Sequence, residues 1–358
     1  MLLTIKIKLL TSQEQKELLL QMMEKFNEAC NHISEVAFKE KVFGQISLQK
    51  ITYYEIRKQF NLPSQLAVRA IGKVSESYKV QKHTQIQFCK RSAVVLDRRL
   101  YSPFGMDRIS IITLNQGRII VPMIVGRYFK MQNRRVRGQA DLIYIDGVFY
   151  LCMVVEFPDG ELIKTDGFLG VDMGIVNIAT TSTGNKFSGS TVDKVRIRIS
   201  NHRNRLQKCG TRSARKRLKK ISRQQRRFVR NINHCVSKDV VKEAKALNLG
   251  VAVEDLHKIK KTVRKSQRQR HEQWSFYELA TFLEYKCKLA GLPFVKVDPS
   301  YTSQRCSQCG HISRFNRKTQ AKFVCEHCGF SMNADINAAI NIAARASVNM
   351  PIVTSLVA

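Results

Sequence analysis

Along the first 160 residues the apolar positions change period twice. Residues 1–12 alternate, with Leu3, Ile5 and Ile7 set against Lys6 and Lys8, which is the period of a strand with one buried face. Residues 13–38 switch to helical spacing, with Leu18, Met22, Phe26, Ala29 and Ile33 in register and Ser12 placed to cap them. Residues 48–60 and 64–79 repeat that spacing across a break at Pro63, so three helices are expected to form a small bundle. From 84 to 157 the pattern returns to short β-rich segments at 109–114, 118–123, 139–145 and 148–157. Asp146-Gly147 between the last two is a tight-turn signal. An antiparallel barrel or sandwich is predicted there, and Pro158-Asp159-Gly160 marks a boundary after it.

Beyond that boundary the pattern predicts buried strands at 168–172, 177–182, 249–254 and 293–298, separated by long helical stretches. That order suits an α/β sheet with helices packed on it. Between Lys194 and Lys238 there is no Asp or Glu, yet Leu206, Leu218, Ile221 and Phe228 still mark an apolar stripe. One or two helices docked by that stripe would offer Arg205, Arg212, Arg215, Lys216, Arg217, Lys219, Lys220, Arg223, Arg226, Arg227 and Arg230 to phosphates. A helix that is merely solvated usually mixes both signs of charge for pairing.

Composition sharpens this picture. With 358 residues, 44% of them hydrophobic, the chain can fill two or three cores. Its 61 Lys and Arg against 28 Asp and Glu leave a formal charge of +33, which favours a polyanionic partner and leaves a basic, ribosome-associated globule as the other reading. No uncharged run approaches the roughly 18 residues of a membrane span, and residues 1–12 lack the apolar core of a signal peptide. A cytoplasmic, nucleoid-associated protein with reduced thiols is expected.

Two constellations carry chemistry. Cys306-x2-Cys309 and Cys325-x2-Cys328 are separated by 15 residues, and Gly310 and Gly329 each follow the second cysteine of a pair. Four thiolates at that spacing fold two knuckles around one tetrahedral zinc, leaving no open position, so the metal is structural. The second set is Asp172, Glu254 and Asp335, each at the end of an apolar segment. A carboxylate closing a buried strand is costly unless a cation neutralises it. Two such carboxylates with a third on a helix can hold a pair of Mg²⁺ ions, one activating water and the other stabilising a leaving 3′ oxygen. Taken singly, Asp172 can also cap a turn, Glu254 can pair with Lys or Arg, and Asp335 can cap the helix that follows it.

In order along the chain, Gly170-Val171-Asp172-Met173-Gly174, Val253-Glu254-Asp255-Leu256, the run from Tyr301 to Gly310, and Asn333-Ala334-Asp335-Ile336-Asn337-Ala338-Ala339 together resemble the TnpB family. These proteins, also called OrfB transposases, are carried by insertion sequences and are similar to the ancestors of the miniature type V CRISPR effectors. The match covers residues 168–345. It implies an α+β multidomain chain: a wedge-type β-barrel (1–10 and 84–160) with a helical recognition insertion (11–83), then a RuvC-like RNase H α/β fold (161–300 and 331–358) carrying an inserted zinc ribbon (301–330). It also implies catalysis by Asp172, Glu254 and Asp335 with two Mg²⁺ or Mn²⁺ ions, a guide RNA from the element's end, and cleavage of double-stranded DNA beside a short motif. Base pairing would then supply specificity while the protein grips an A-form heteroduplex through its backbone. Gln65, Arg69 and Lys73 become candidates for the motif-reading surface. The oligomeric state stays open, one copy per RNA being favoured.

Many family members carry Asp-Arg where this chain has Asn333-Ala334, which bears on local phosphate contacts more than on the acids. In relatives the basic stretch 257–271 borders the cleft. Three rivals remain. A nuclease-silent RNA-guided repressor would lack one of the three acids, and all three are present. An accessory transposase would need strand-transfer partners, and a junction resolvase would be smaller and without the ribbon.

Overall fold

The alternating stretch at the amino terminus forms β1 (Leu2–Leu9), which buries Ile7 and Leu9. Ser12 then opens α1 (Gln13–Glu40) with a reciprocal capping box: its hydroxyl accepts from the Gln15 amide at 3.1 Å while the Gln15 side chain accepts from the Ser12 amide at 3.2 Å. Two further helices follow, α2 (Gln45–Phe60) and α3 (Ser64–Val80). Phe26, Ile33, Leu48, Ile56, Leu66 and Val74 from the three helices join Leu142, Phe149, Leu151 and Met153 from the strands in one core.

Those strands are β2 (Val94–Leu96), β3 (Tyr101–Phe104), β4 (Arg108–Ile112), β5 (Arg118–Ile124), β6 (Val136–Ile145) and β7 (Val148–Glu156). With β1 they make a seven-stranded antiparallel sheet in the order β2-β6-β7-β1-β5-β4-β3. Asp146 (φ 50°) and Gly147 (φ 86°) both turn left-handed between β6 and β7, the backbone that a two-residue type I′ hairpin demands. The sequence pattern does not reveal β2 and β3, because three or four residues, one of them Pro103, are too few to show a period.

The structure, a computed structural model, describes residues 1–105, 107–124, 136–256, 276–319 and 321–348. These fall into two units, Met1–Pro158, described above, and Asp159–Ala358. In the second unit β8 (Phe168–Asp172), β9 (Asn177–Thr181) and β10 (Lys186–Ser188) form an antiparallel meander. Strands β11 (Gly250–Glu254) and β12 (Phe294–Val297) add to it in parallel, giving the order β10-β9-β8-β11-β12. The acid-free basic run becomes two helices, α4 (Ser190–Cys209) and α5 (Arg212–Ala246), with Gly210 left-handed between them. Helix α6 (Phe276–Ala290) leads into β12, and α7 (Ala334–Val348) follows a two-stranded ribbon of β13 (Lys322–Val324) and β14 (Ser331–Asn333). Both units together make a mixed α/β fold, and no described helix is long and apolar enough to cross a membrane.

The period of two assigns the faces of this sheet. Leu169, Val171, Val251 and Val253 point into the core with Val240 and Ala244 of α5 and Leu279 and Leu283 of α6. Phe168 and Ala252 point the other way, where they pack with Ile342 and Ala346 of α7. Gly170 shares that second face. A Cβ there would lie 1.9 Å from the Ala339 carbonyl oxygen and 2.7 Å from the Ala343 nitrogen, so only glycine lets α7 lie directly on β8.

Candidate active site

Asp172 and Glu254 end two neighbouring parallel strands. Val171 is paired with Val253, so the acids stand one step beyond at the same sheet edge, on the face of Gly170 and Ala252. Asp335 is the second residue of α7 and lies one turn ahead of Ala339, the residue that crosses Gly170. The close approach of α7 to β8 therefore delivers the third carboxylate to that edge. Electrostatics register the convergence: burial pushes the Asp172 carboxyl up to about 7, Glu254 and Asp335 push in the same direction, and Arg317 opposes them. Glu254 is also raised, chiefly by burial, against the Thr302 hydroxyl, Arg345 and Arg317. Asp172 therefore feels the charge of both other acids.

These carboxylates are more widely spread than the cysteines, which form the one set of three or more candidate ligands among the described residues with ligand atoms all within 4.8 Å of one another. Three carboxylates spread over one edge suit two divalent ions about 4 Å apart better than a single ion. The uncompensated burial of Asp172 is the observation that fits cations to this edge. Its carboxyl is raised in the folded state, so the metal-free protein binds an extra proton between the ordinary carboxylate range and about 7. Stability without metal is then expected to fall as pH rises through that window and to level off above it, while Mg²⁺ affinity rises over the same window. Thermal unfolding with and without Mg²⁺ across pH 5 to 8 checks this, and a flat metal-free profile would contradict it.

Several groups that hold the acids escaped the sequence reading. Asn177 donates to Asp335 at 2.9 Å, and Arg317 lies 3.4 Å from the other Asp335 oxygen. The Thr302 hydroxyl donates to Glu254. Thr302 is held in turn by α7, where Asn341 donates to the Thr302 and Arg305 carbonyls at 3.0 and 2.7 Å. Asn337 donates to the Arg305 carbonyl at 2.8 Å and accepts from the Ser307 amide at 3.0 Å. Two buried asparagines four residues apart on a helix otherwise faced with Ala338, Ala339 and Ile342 were the available signal.

That clamp ties α7 to the cysteine knuckles. The Cys306–Cys328 and Cys309–Cys325 sulfurs lie 3.7 and 3.6 Å apart. A tetrahedron of thiolates with zinc bonds of about 2.3 Å has edges of about 3.8 Å, so the four cysteines fit that ion. The knuckles match each other: Gly310 donates to the Cys306 carbonyl and Gly329 to the Cys325 carbonyl, each at 3.0 Å, with both glycines left-handed at φ 77° and 71°.

Arg205, Arg212, Arg215, Lys216, Arg217, Lys219, Lys220, Arg223, Arg226, Arg227 and Arg230 are all exposed on α4 and α5, with Arg230 ion-paired to Glu278 at 3.0 Å. Ile221 is buried, and Leu206, Leu218 and Phe228 are half-buried. The three residues expected on a motif-reading surface are engaged within the first unit. The Gln65 amide donates to Asp97 and accepts from Arg99, and Arg69 pairs with Asp97 at 3.4 Å. The Lys73 ammonium donates to Asn27 Oδ1 at 2.9 Å and to the Ala93 carbonyl at 2.6 Å over the Phe26 and Phe88 rings, so it ties helices to the chain before β2. The basic stretch 257–271 lies outside the described residues.

Two family profiles match the chain, one described as a probable transposase over residues 153–271 and one as a Cas12f1-like TNB domain over 276–342. Over 213 residues the chain is 32% identical to the CRISPR-associated endodeoxyribonuclease Cas12f1 of Sulfoacidibacillus thermotolerans, covering 54% of this chain and 50% of that one. It is 26% identical over 258 residues to a TnpB-like protein of Methanocaldococcus jannaschii, covering 67% of this chain and 91% of that protein. A cryo-EM structure of a Cas12f1–sgRNA–target DNA complex shares the fold, with a TM-score of 0.64 at 15% identity over 93% of this chain and 83% of that one. The chain spans half or less of the length of the Cas12f relatives it matches. The chain thus shares the fold of the Cas12f1 complex and is similar in sequence to TnpB-like and Cas12f proteins.

Proposed function

We propose that this protein is an RNA-guided DNA endonuclease encoded by an insertion sequence, which binds a guide RNA from the element's end, recognises a short adjacent motif and cleaves double-stranded DNA. The observation that carries the reading is Asp172, buried at a strand edge with two further carboxylates acting on it and its carboxyl raised to about 7. A Cas12f relative is named an endodeoxyribonuclease, and the solved complex contains sgRNA and target DNA. In this reading the seven-stranded sheet is a wedge-type barrel with α1 to α3 as its recognition insertion. The second unit is a RuvC-like RNase H fold with its zinc ribbon inserted ahead of α7.

Bound Mg²⁺ or Mn²⁺ would neutralise the phosphodiester and lower the pKa of the attacking water. Asp172, Glu254 and Asp335 would hold the ions. Thr302 orients Glu254, Asn177 orients Asp335, and Arg317 keeps a guanidinium beside the cluster while substrate enters. The exposed cations of α4 and α5 add affinity for the nucleic-acid backbone without reading its sequence. The test is to co-express the chain with its flanking DNA, sequence the RNA that co-purifies, and challenge the complex with a plasmid library carrying the matching target in Mg²⁺. A discrete RNA and cuts beside a common motif are expected. Absence of both would overturn the reading.

A further inference from the structure

The face that α4 turns toward α5 is unusual for two packed helices. Residues 196, 200, 203 and 207 recur at spacings of four, three and four, and they are Arg, Ser, Arg and Gln. A packed face is ordinarily apolar at these positions. Here the same residues, with Asn204, line a cavity of about 170 Å³ closed on the far side by Gln225 of α5. Among its lining residues only Ile199 is apolar.

Donors dominate the cavity. Two guanidiniums and three side-chain amides face it, and the nearby acid, Asp193, is bound to the Arg196 guanidinium at 2.9 Å. Arg196 is 8% exposed and Arg203 is half-buried, so positive charge is held in partly closed space where water screens it poorly. At about 30 Å³ per water the space holds five or six waters. A phosphate group fits, but a whole nucleotide does not. A planar guanidinium fork matches phosphate oxygens in bidentate fashion.

We propose that the α4–α5 pair contains a seat for a single phosphate group of a nucleic-acid backbone, centred on Arg196 and Arg203. The proposal rests on the nucleic-acid reading above and adds to it a defined anchoring point within an otherwise diffuse basic track. Free phosphate shares the chemistry, and the experiment separates the two sources.

Binding of a short labelled single-stranded RNA to the full-length protein is measured in magnesium-free buffer over a range of NaCl concentrations. Gln225→Glu places a carboxylate in the seat, and Gln224→Glu makes the same charge change on the exposed neighbour. Ser200→Leu fills the cavity without altering charge. Gln225→Glu is expected to weaken binding about tenfold and Gln224→Glu less than about twofold, with Gln225→Glu and Ser200→Leu each flattening the salt dependence by about one counterion. Equal effects of the two glutamates, with wild-type binding by Ser200→Leu, overturn the seat. Melting temperatures in inorganic phosphate and in chloride of matched ionic strength form the second arm. A phosphate-specific rise that Gln225→Glu removes, alongside RNA affinities equal for both glutamates, overturns the backbone source. Cleavage is not measured, so loss of RNA binding by the unaltered protein would sink the guide-RNA reading while the thermal arm still judges the seat.

Discussion

Replacing Asp172 with alanine is expected to abolish DNA cutting, by about a thousandfold or more, while RNA binding stays close to that of the unaltered protein. The magnitude follows from its position. Asp172 is pushed up by both Glu254 and Asp335, so its removal takes away a carboxylate that acts together with the other two. The exposed cations that would bind RNA lie elsewhere, on α4 and α5. The isosteric Asp172→Asn separates chemistry from folding. It removes the penalty of holding a charge beside two others, so the metal-free protein should melt at a higher temperature than the unaltered protein at neutral pH. Cutting by Asp172→Ala at near the original rate would remove this residue from the site.

Cys309→Ser is expected to abolish metal binding at the four cysteines, which fit zinc, and with it most of the proposed cutting. The ribbon has almost no core of its own: Phe323 and Ala334 are buried with Cys306 and Cys325, and Phe330 packs against them. Metal binding at such a site contributes on the order of 10 kcal/mol to folding, far more than so few apolar contacts provide. The ribbon also carries Arg317, and its first knuckle is clamped to α7 through Asn337. Its loss therefore loosens the groups around Asp335 and Glu254. The seven-stranded sheet and its helices lie in the other unit and should keep their circular dichroism. Metal analysis should show zinc bound by the unaltered chain and none by the variant; a variant that retained both zinc and cutting would remove Cys309 from the metal site.

Strong periods in the sequence translated into structure wherever one face was buried against a large core. Helices α1 to α3 and strands β8 and β11 lie within a few residues of where their apolar spacing put them. The hairpin at Asp146-Gly147 was legible because its left-handed backbone suits few other residue pairs. Short elements were not legible. β2, β10, β13 and β14 have three residues each, too few to show a period, and β2 pairs with β6 almost 50 residues on. Lys73 shows the limit for single side chains: its spacing on α3 is that of an exposed cation, but the segment before β2 folds back and uses its ammonium.

The sequence by itself determined the residue types of the site: four cysteines at knuckle spacing, and three acids ending apolar segments. Those features are local, since ligand spacing and strand alternation depend on residues a few positions apart. Only the tertiary structure decided that the acids share one sheet edge. That arrangement needs the parallel pairing of β8 with β11, and a glycine at 170 so that α7 can lie against the strand. It also decided that Thr302, Asn177 and Arg317 serve those acids, because a hydrogen bond between residues 48 or 158 positions apart leaves no local mark in the chain.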